Sequence, residues 1–232
     1  MLREDTARLW DVLSPRRELD GFVLIGGSAL SLHIDHRLSE DLDFAWPHPR
    51  LPRKSLADLI RNLPNLKFDP CPDPIALREA DDAGMDLYDF SQDYLVDGVK
   101  LTFFCPDPPE RQILSQNPNP TLRVATVAEI FALKALVAAK RSKQRDWFDL
   151  YILMRDHGYS WKDFRKVFDD TLVPAQYERA AQRLSSGHPG RSDEGFDQLL
   201  PGPTVTVEEM QTFFSSTQKA YETTLTDNSP TL

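Results

Sequence analysis

The sequence predicts an α+β chain, with strands and helices mixed in its first half and helices alone in its second. Three observations predict it. Short apolar runs bounded by glycine, proline and aspartate recur as far as residue 104. Prolines 106, 108, 109, 118 and 120 then punctuate one stretch. Beyond them "TVAEIFALKALVAAK" opens a run of helical patterns. The expected boundaries are an α/β domain over 1–115, a helical bundle over 116–225 and a disordered tail over 226–232.

Each element has its own warrant. Residues 3–14 carry Leu9, Trp10, Val12 and Leu13 as the apolar contacts of an amphipathic helix, stopped at Pro15. Phe22 to Ile25 is a buried strand ending in the tight turn of Gly26-Gly27, and Ser28 is placed to cap a short helix after it. Asp41 and Asp43 alternate with Leu42 and Phe44, the period of a strand. Residues 54–63 read as a helix. Strands are expected at Leu66–Phe68, Met85–Phe90 and Val99–Phe104, the last entered through an Asp97-Gly98 hairpin turn. Residues 106–120 read as a linker around one helical turn.

Thr126 and Glu129 form a capping box ahead of the first helix of the second half. Further helices are expected at 146–156, 160–169 and 174–185. A loop spans 185–203, and a second capping box, Thr206 with Glu209, opens a last helix to about Tyr221.

Composition narrows the function classes. Net charge is −9 and the pI about 5.0, which argues against coating nucleic acid by bulk electrostatics. A local basic tract, Lys140 to Arg145, is compatible with contact to an RNA backbone or with a plain solvated loop. Cys71 and Cys105 are too few for a disulfide framework or a zinc ribbon. No apolar run approaches a membrane span and the N-terminus lacks a secretory pattern, so a cytoplasmic protein without membrane contact is expected.

Two stretches carry chemistry. In "IGGSALSLHIDHRLSEDLDF", Gly26 and Gly27 remove side chains where a phosphate would approach backbone N–H groups at a helix start, and Ser28 adds a hydroxyl. Asp41 and Asp43, on one strand face, repel unless a cation lies between them. Magnesium takes such oxygen ligands together with substrate phosphates. Each feature alone is as well explained by turn geometry or a solvated strand edge; together they point to a metal-bound triphosphate. In the second stretch, Lys134 interrupts an apolar run, where it either snorkels to the surface or enters a polar pocket. Asp146 and Asp149 share a helix face at i, i+3, as an Asp–Arg network pinning helices or as proton acceptors. His33, His36 and Cys105 lack partners at catalytic or metal-ligand spacing, and Trp147, Phe148 and Tyr151 read as core.

The glycine-serine turn twelve residues before an Asp-apolar-Asp strand resembles the polymerase-β-like nucleotidyltransferase superfamily. Arg37 and Ser39, just before the acids, narrow the resemblance to the AbiEii/AbiGii toxin nucleotidyltransferases, as does the block Lys134, Arg141, Lys143, Arg145, Asp146, Asp149. It covers roughly residues 20–155. It implies a nucleotidyltransferase-like mixed sheet with flanking helices. It also implies nucleotide binding by Gly26, Gly27, Ser28, Arg37, Ser39, Lys100 and Arg145, metal on Asp41 and Asp43, and catalytic roles for Asp41, Asp43, Lys134, Asp146 and Asp149.

The implied activity moves a nucleoside monophosphate from an NTP, with Mg2+ or Mn2+, to an acceptor hydroxyl. RNA, perhaps the 3′ end of tRNA, is the implied acceptor, and a cognate antitoxin the implied partner. Alternatives are a degenerate nucleotide-binding protein and a transferase acting on protein or small-molecule hydroxyls. One departure matters: the later strand that commonly bears a third carboxylate reads "GVKLTFF", with Thr102 at that position. Either Asp41 and Asp43 suffice, or Asp86, Asp89 or Asp97 comes close in space, or the enzyme is degenerate.

Overall fold

A computed structural model describes residues 1–190, 196–200 and 205–227. It comprises two compact units, Met1–Ile130 and Phe131–Leu232. Residues 228–232 of the tail expected at 226–232, and part of the loop expected at 185–203, lie outside the described residues.

In the first unit, helix α1 (Glu4–Leu13) buries Leu9 and Leu13, and Trp10 stacks at 6.2 Å on Phe44. Strand β1 (Val23–Ile25) runs directly into helix α2 (Gly26–Ile34). Strand β2 (Leu42–Ala45), helix α3 (Arg53–Arg61) and strand β3 (Phe68–Pro70) follow. Helix α4 (Pro74–Asp82) was not expected; Asp73 caps it by accepting from the Ile75 amide at 2.9 Å. Strand β4 (Ser91–Val96) and strand β5 (Val99–Phe104) form the hairpin predicted around Asp97-Gly98. Both turn residues have positive φ, 49° and 85°, as a two-residue hairpin demands.

The strand expected at Met85–Phe90 is instead a 3₁₀ turn, Leu87–Asp89. Asp86 accepts from the Tyr88 amide at 3.0 Å, so a local side-chain bond displaces strand pairing there. The proline-rich segment holds a longer helix than one turn, α5 (Pro108–Ser115), begun by the Asp107–Glu110 capping box. Strand β6 (Arg123–Val124) then pairs with β1.

The sheet has the order β3-β4-β5-β2-β1-β6 and is mixed: β1/β6 and β2/β5 are parallel, the other pairs antiparallel. Alternation sorts its two faces. Leu24, Phe44 and Phe103 stand in one cross-strand row and are fully buried. The opposite face carries Ile25, Asp43, Lys100, Thr102 and Asp93, none of them buried.

Helix α6 (Val127–Lys140) starts at the predicted box: the Thr126 amide donates to Glu129 Oε2 at 2.8 Å and the Glu129 amide to Thr126 Oγ1 at 3.2 Å. Glu129 also receives both Nη atoms of Arg123 at 2.8 Å, an ion pair tying β6 to the helix start.

The second unit is helical in its described residues. Helices α7 (Gln144–Asp156), α8 (Trp161–Asp170), α9 (Tyr177–Ser186) and α10 (Val207–Asp227) follow one another. An aromatic cluster fills the unit: Trp147, Phe164, Phe168 and Phe214 are each at most 1% exposed, and Phe214 meets the rings of Trp147, Tyr151 and Trp161. The last helix runs beyond the expected Tyr221, through two of the residues assigned to the tail.

Candidate active site

The first group of candidate residues grows from the end of β1. Gly26 takes φ +75°, a backbone turn that favours glycine, and a Cβ there would lie 3.1 Å from Asp43 Oδ2. The Asp43 carboxylate is thus lodged against the start of α2. Helix α2 has no side-chain cap, so its first amides keep no internal acceptor. These amides, the helix dipole and Gly26 make a cradle for an anion.

Gly27 is required for another reason than phosphate access. A Cβ at this position would collide with the Arg37 guanidinium and stand 3.1 Å from Ser39 Oγ. Arg37 is 2% exposed and Ser39 5%, so both lie beneath the turn.

Ser28 does not cap α2; it sits inside the first turn. Its hydroxyl bonds Ser39 Oγ at 2.9 Å and donates to the Asp41 carbonyl. Buried at 2% exposure, it pins the entry of β2 to α2 and so fixes where the two acids start. Asp41 immediately precedes β2, and Asp43 is its second residue, paired with Ile25 on one side and Thr102 on the other. The structure therefore brings together Gly26, Gly27, Ser28, Arg37, Ser39, Asp41 and Asp43. Lys100 is exposed on the same sheet face as Asp43.

Thr102 stands beside Asp43, where a third carboxylate was sought. Of the acids weighed as substitutes, Asp86 and Asp89 are bound by Arg53 at 2.6 and 3.1 Å, and Asp97 lies in the hairpin turn. The sequence reading missed Asp93. It pairs with Thr102 from β4, the fourth pair out from the two-residue turn, and so shares the face of Asp43. The hairpin signal alone would have located it.

Two carboxylates beside a backbone cradle suit a hard divalent cation that takes its remaining oxygens from phosphate and water. Among the described residues, no three His, Cys, Asp or Glu side chains converge on a metal. The donor set thus fits an ion shared with a substrate rather than one fully caged by protein.

The second group lies in the second unit. Lys134 is 6% exposed, so the polar-pocket reading of this lysine holds over snorkelling. Its Nζ meets Asp146 Oδ1 at 2.6 Å and Asp149 Oδ2 at 2.7 Å. Arg141 adds Nε to Asp146 Oδ2 at 2.8 Å. Burial pushes the Asp146 carboxyl up, but Lys134 and Arg141 more than offset this and hold it below the usual carboxylate range. Arg145 lies in the first turn of α7, half-buried.

His33 Nε2 lies 2.8 Å from the Ala125 carbonyl, a structural contact. Burial pushes the Cys105 thiol up to about 11, where it is no nucleophile.

A mixed sheet with a glycine turn closed on two acids is the architecture of a nucleotidyltransferase. The chain belongs to the AbiEii nucleotidyl transferase toxins of type IV toxin–antitoxin systems, whose family pattern matches residues 8–201. It is a nucleotidyltransferase of that toxin family. Among curated proteins it is similar to the uncharacterized protein aq_aa25 of Aquifex aeolicus, 26% identical over 201 residues, covering 86% of this chain and 87% of that one. Among solved structures it resembles one assigned provisionally to a nucleotidyltransferase of H. pylori, with TM-score 0.54 and 19% identity over 99% of this chain and 100% of that one. A further likeness is to the nucleotidyltransferase toxin MenT4 of Mycobacterium tuberculosis, with TM-score 0.45 and 16% identity over 93% of this chain and 86% of that one. Among the described residues, no helix is long and apolar enough to cross a membrane.

Proposed function

We propose that this toxin moves a nucleoside monophosphate from a magnesium-bound NTP to a hydroxyl of RNA, at the 3′ end of tRNA, and that a cognate antitoxin restrains it. The observation that carries the reading is the Asp43 carboxylate lodged against Gly26 at the open start of α2. That juxtaposition suits a triphosphate with its leaving phosphates over the α2 amides and its α-phosphate near Asp43. Asp41 and Asp43 would hold the divalent cation, which when bound supplies charge neutralisation for the phosphates.

The chain's own groups do the rest. The α2 amides orient the leaving pyrophosphate. Arg37, Ser39 and Ser28 keep the turn and the two acids in register from below. Lys100, exposed on the same face, gives positive charge to the phosphates. Lys134, Asp146 and Asp149 act as one charge-balanced group in transfer, with Arg141 and Arg145 adding positive charge beside it. A cytoplasmic site of action follows from this substrate pair.

The test incubates the chain with magnesium, each labelled NTP and total RNA, beside protein and aminoglycoside acceptors. Transfer to tRNA by the unaltered chain is expected, with complete loss in Asp41→Ala with Asp43→Ala. Label appearing on protein or aminoglycoside instead would reassign the acceptor. A second reading has one observation in its favour: Thr102 puts no carboxylate beside Asp43. A degenerate nucleotide-binding protein would bind NTP with magnesium and release no pyrophosphate with any acceptor.

A further inference from the structure

One oxygen on the nucleotide face of the sheet is unaccounted for. Asp93 Oδ1 is shielded from solvent and has no hydrogen-bond partner. Native proteins rarely leave a buried acceptor unmatched. The neighbouring groups are known: the Cys71 thiol is pushed up first by burial and next by the charge of Asp93, while Lys100 acts against it. No salt bridge to Lys100 forms, in a sheet where Lys100 stands only two residues from Asp93's cross-strand partner.

Position gives the oxygen a meaning. A single cross-strand row holds Ile25, Asp43, Thr102 and Asp93, on β1, β2, β5 and β4 in turn. Gly26 and the amide cradle follow Ile25 at one end of the row. Asp93 lies at the other end, two strand spacings or about 10 Å from Asp43. Phosphoryl transfer places the attacking and leaving oxygens in line across the phosphorus. With the leaving pyrophosphate over the α2 amides and the α-phosphorus near Asp43, the attacking hydroxyl falls on the side of Thr102 and Asp93. Thr102 is small enough to leave room above it.

We propose that Asp93 is the catalytic base for the acceptor, receiving the hydrogen bond and then the proton of the attacking hydroxyl. This rests on the transferase reading above. In the step, the acceptor oxygen forms a bond to the α-phosphorus, the bond from that phosphorus to the β-phosphate oxygen breaks, and pyrophosphate leaves with its electron pair. The acceptor proton passes to Asp93 Oδ2, the carboxylate oxygen that is not shielded, and from there to water. Asp146 is poorly suited to that task, because Lys134 and Arg141 already occupy both its oxygens. The carboxylate absent at Thr102 is thereby replaced from the next strand.

The experiment uses the full chain with magnesium, the labelled NTP it transfers and total tRNA. Turnover is measured beside calorimetric binding of the matching α,β-methylene NTP. Asp93→Asn is expected to lower kcat by about 100-fold or more while leaving nucleotide affinity within about twofold. Thr102→Asp in the Asp93→Asn background is expected to recover at least about a tenth of the lost rate, since it restores a carboxylate to the same row. Unchanged kcat in Asp93→Asn overturns the proposal, as does nucleotide affinity falling in step with turnover. Were Asp93→Asn to unfold, Asp93→Glu would decide: kcat within about tenfold of the unaltered chain with nucleotide affinity intact supports the role, and loss of both overturns it. If the unaltered chain binds the analogue but labels no tRNA, the transferase reading itself fails, which the binding arm separates from failure of Asp93 alone.

Discussion

At the scale of single residues, the two glycines that look alike in the sequence have different duties. Gly26 needs its positive φ and lies under the Asp43 carboxylate; Gly27 needs its missing Cβ because the Arg37 guanidinium fills that space. Gly27→Ala should therefore weaken NTP binding by tenfold or more (~1.4 kcal/mol). Pairing it with Arg37→Ala should relieve the collision and recover part of the melting temperature, though not the affinity; differential scanning fluorimetry and calorimetry read the two separately. Lys134 is the other residue whose removal should be severe. Lys134→Ala takes from Asp146 and Asp149, 1% and 0% exposed, the ammonium that both carboxylates hold. Breaking such a pair costs about 3–5 kcal/mol. The melting temperature should fall steeply, and Lys134→Arg should recover part of it.

At the scale of elements, legibility followed how local each signal was. The hairpin at Asp97-Gly98 and the capping boxes at Thr126 and Thr206 were readable because a few adjacent side chains decide them. Helix α4 was missed because its sequence, PIALREADD, buries only Ala80 and so shows little apolar periodicity. The Met85–Phe90 strand failed because a single Asp86 side-chain bond outcompetes a pattern of alternation. In the candidate site, the turn and the two acids could be read from spacing, whereas Arg37 beneath Gly27 and Asp93 across from Thr102 depend on packing and register.

The junction of β6 and α6 offers an element-scale prediction. Burial pushes Glu129 up, but bonds from Arg123, the Thr126 amide and Asn117 outweigh it and leave the carboxyl below its usual value. Glu129→Gln should keep part of the capping box and lose the ion pair, at a cost of about 3–5 kcal/mol seen as a shifted urea midpoint.

For the whole molecule, acid should be the weak point. Glu129 and Asp146 both have folded values below their unfolded ones. Their stabilisation is fully present above the unfolded values, about 3.9–4.3, and is lost as pH falls through the folded values. Stability by urea titration should hold from pH 7 to about 5 and then fall on further acidification, more steeply for the unaltered chain than for Glu129→Gln. Chelation should behave differently. The two units are held by apolar and aromatic cores, with Phe22, Phe44, Phe103, Phe164 and Phe214 fully buried. EDTA should abolish nucleotide transfer while moving the melting temperature by no more than about 2 °C, the scale of a change well under 1 kcal/mol.

The guanidinium packed under the second glycine has a bearing on descent as well. A lineage that trades that glycine for a larger residue must swing its arginine aside or shorten it, and one that sheds the arginine opens room beneath the turn for a methyl group. Across related toxins the two positions should drift as a couple, and an ancestor rebuilt with one state of each should express poorly beside either matched pair.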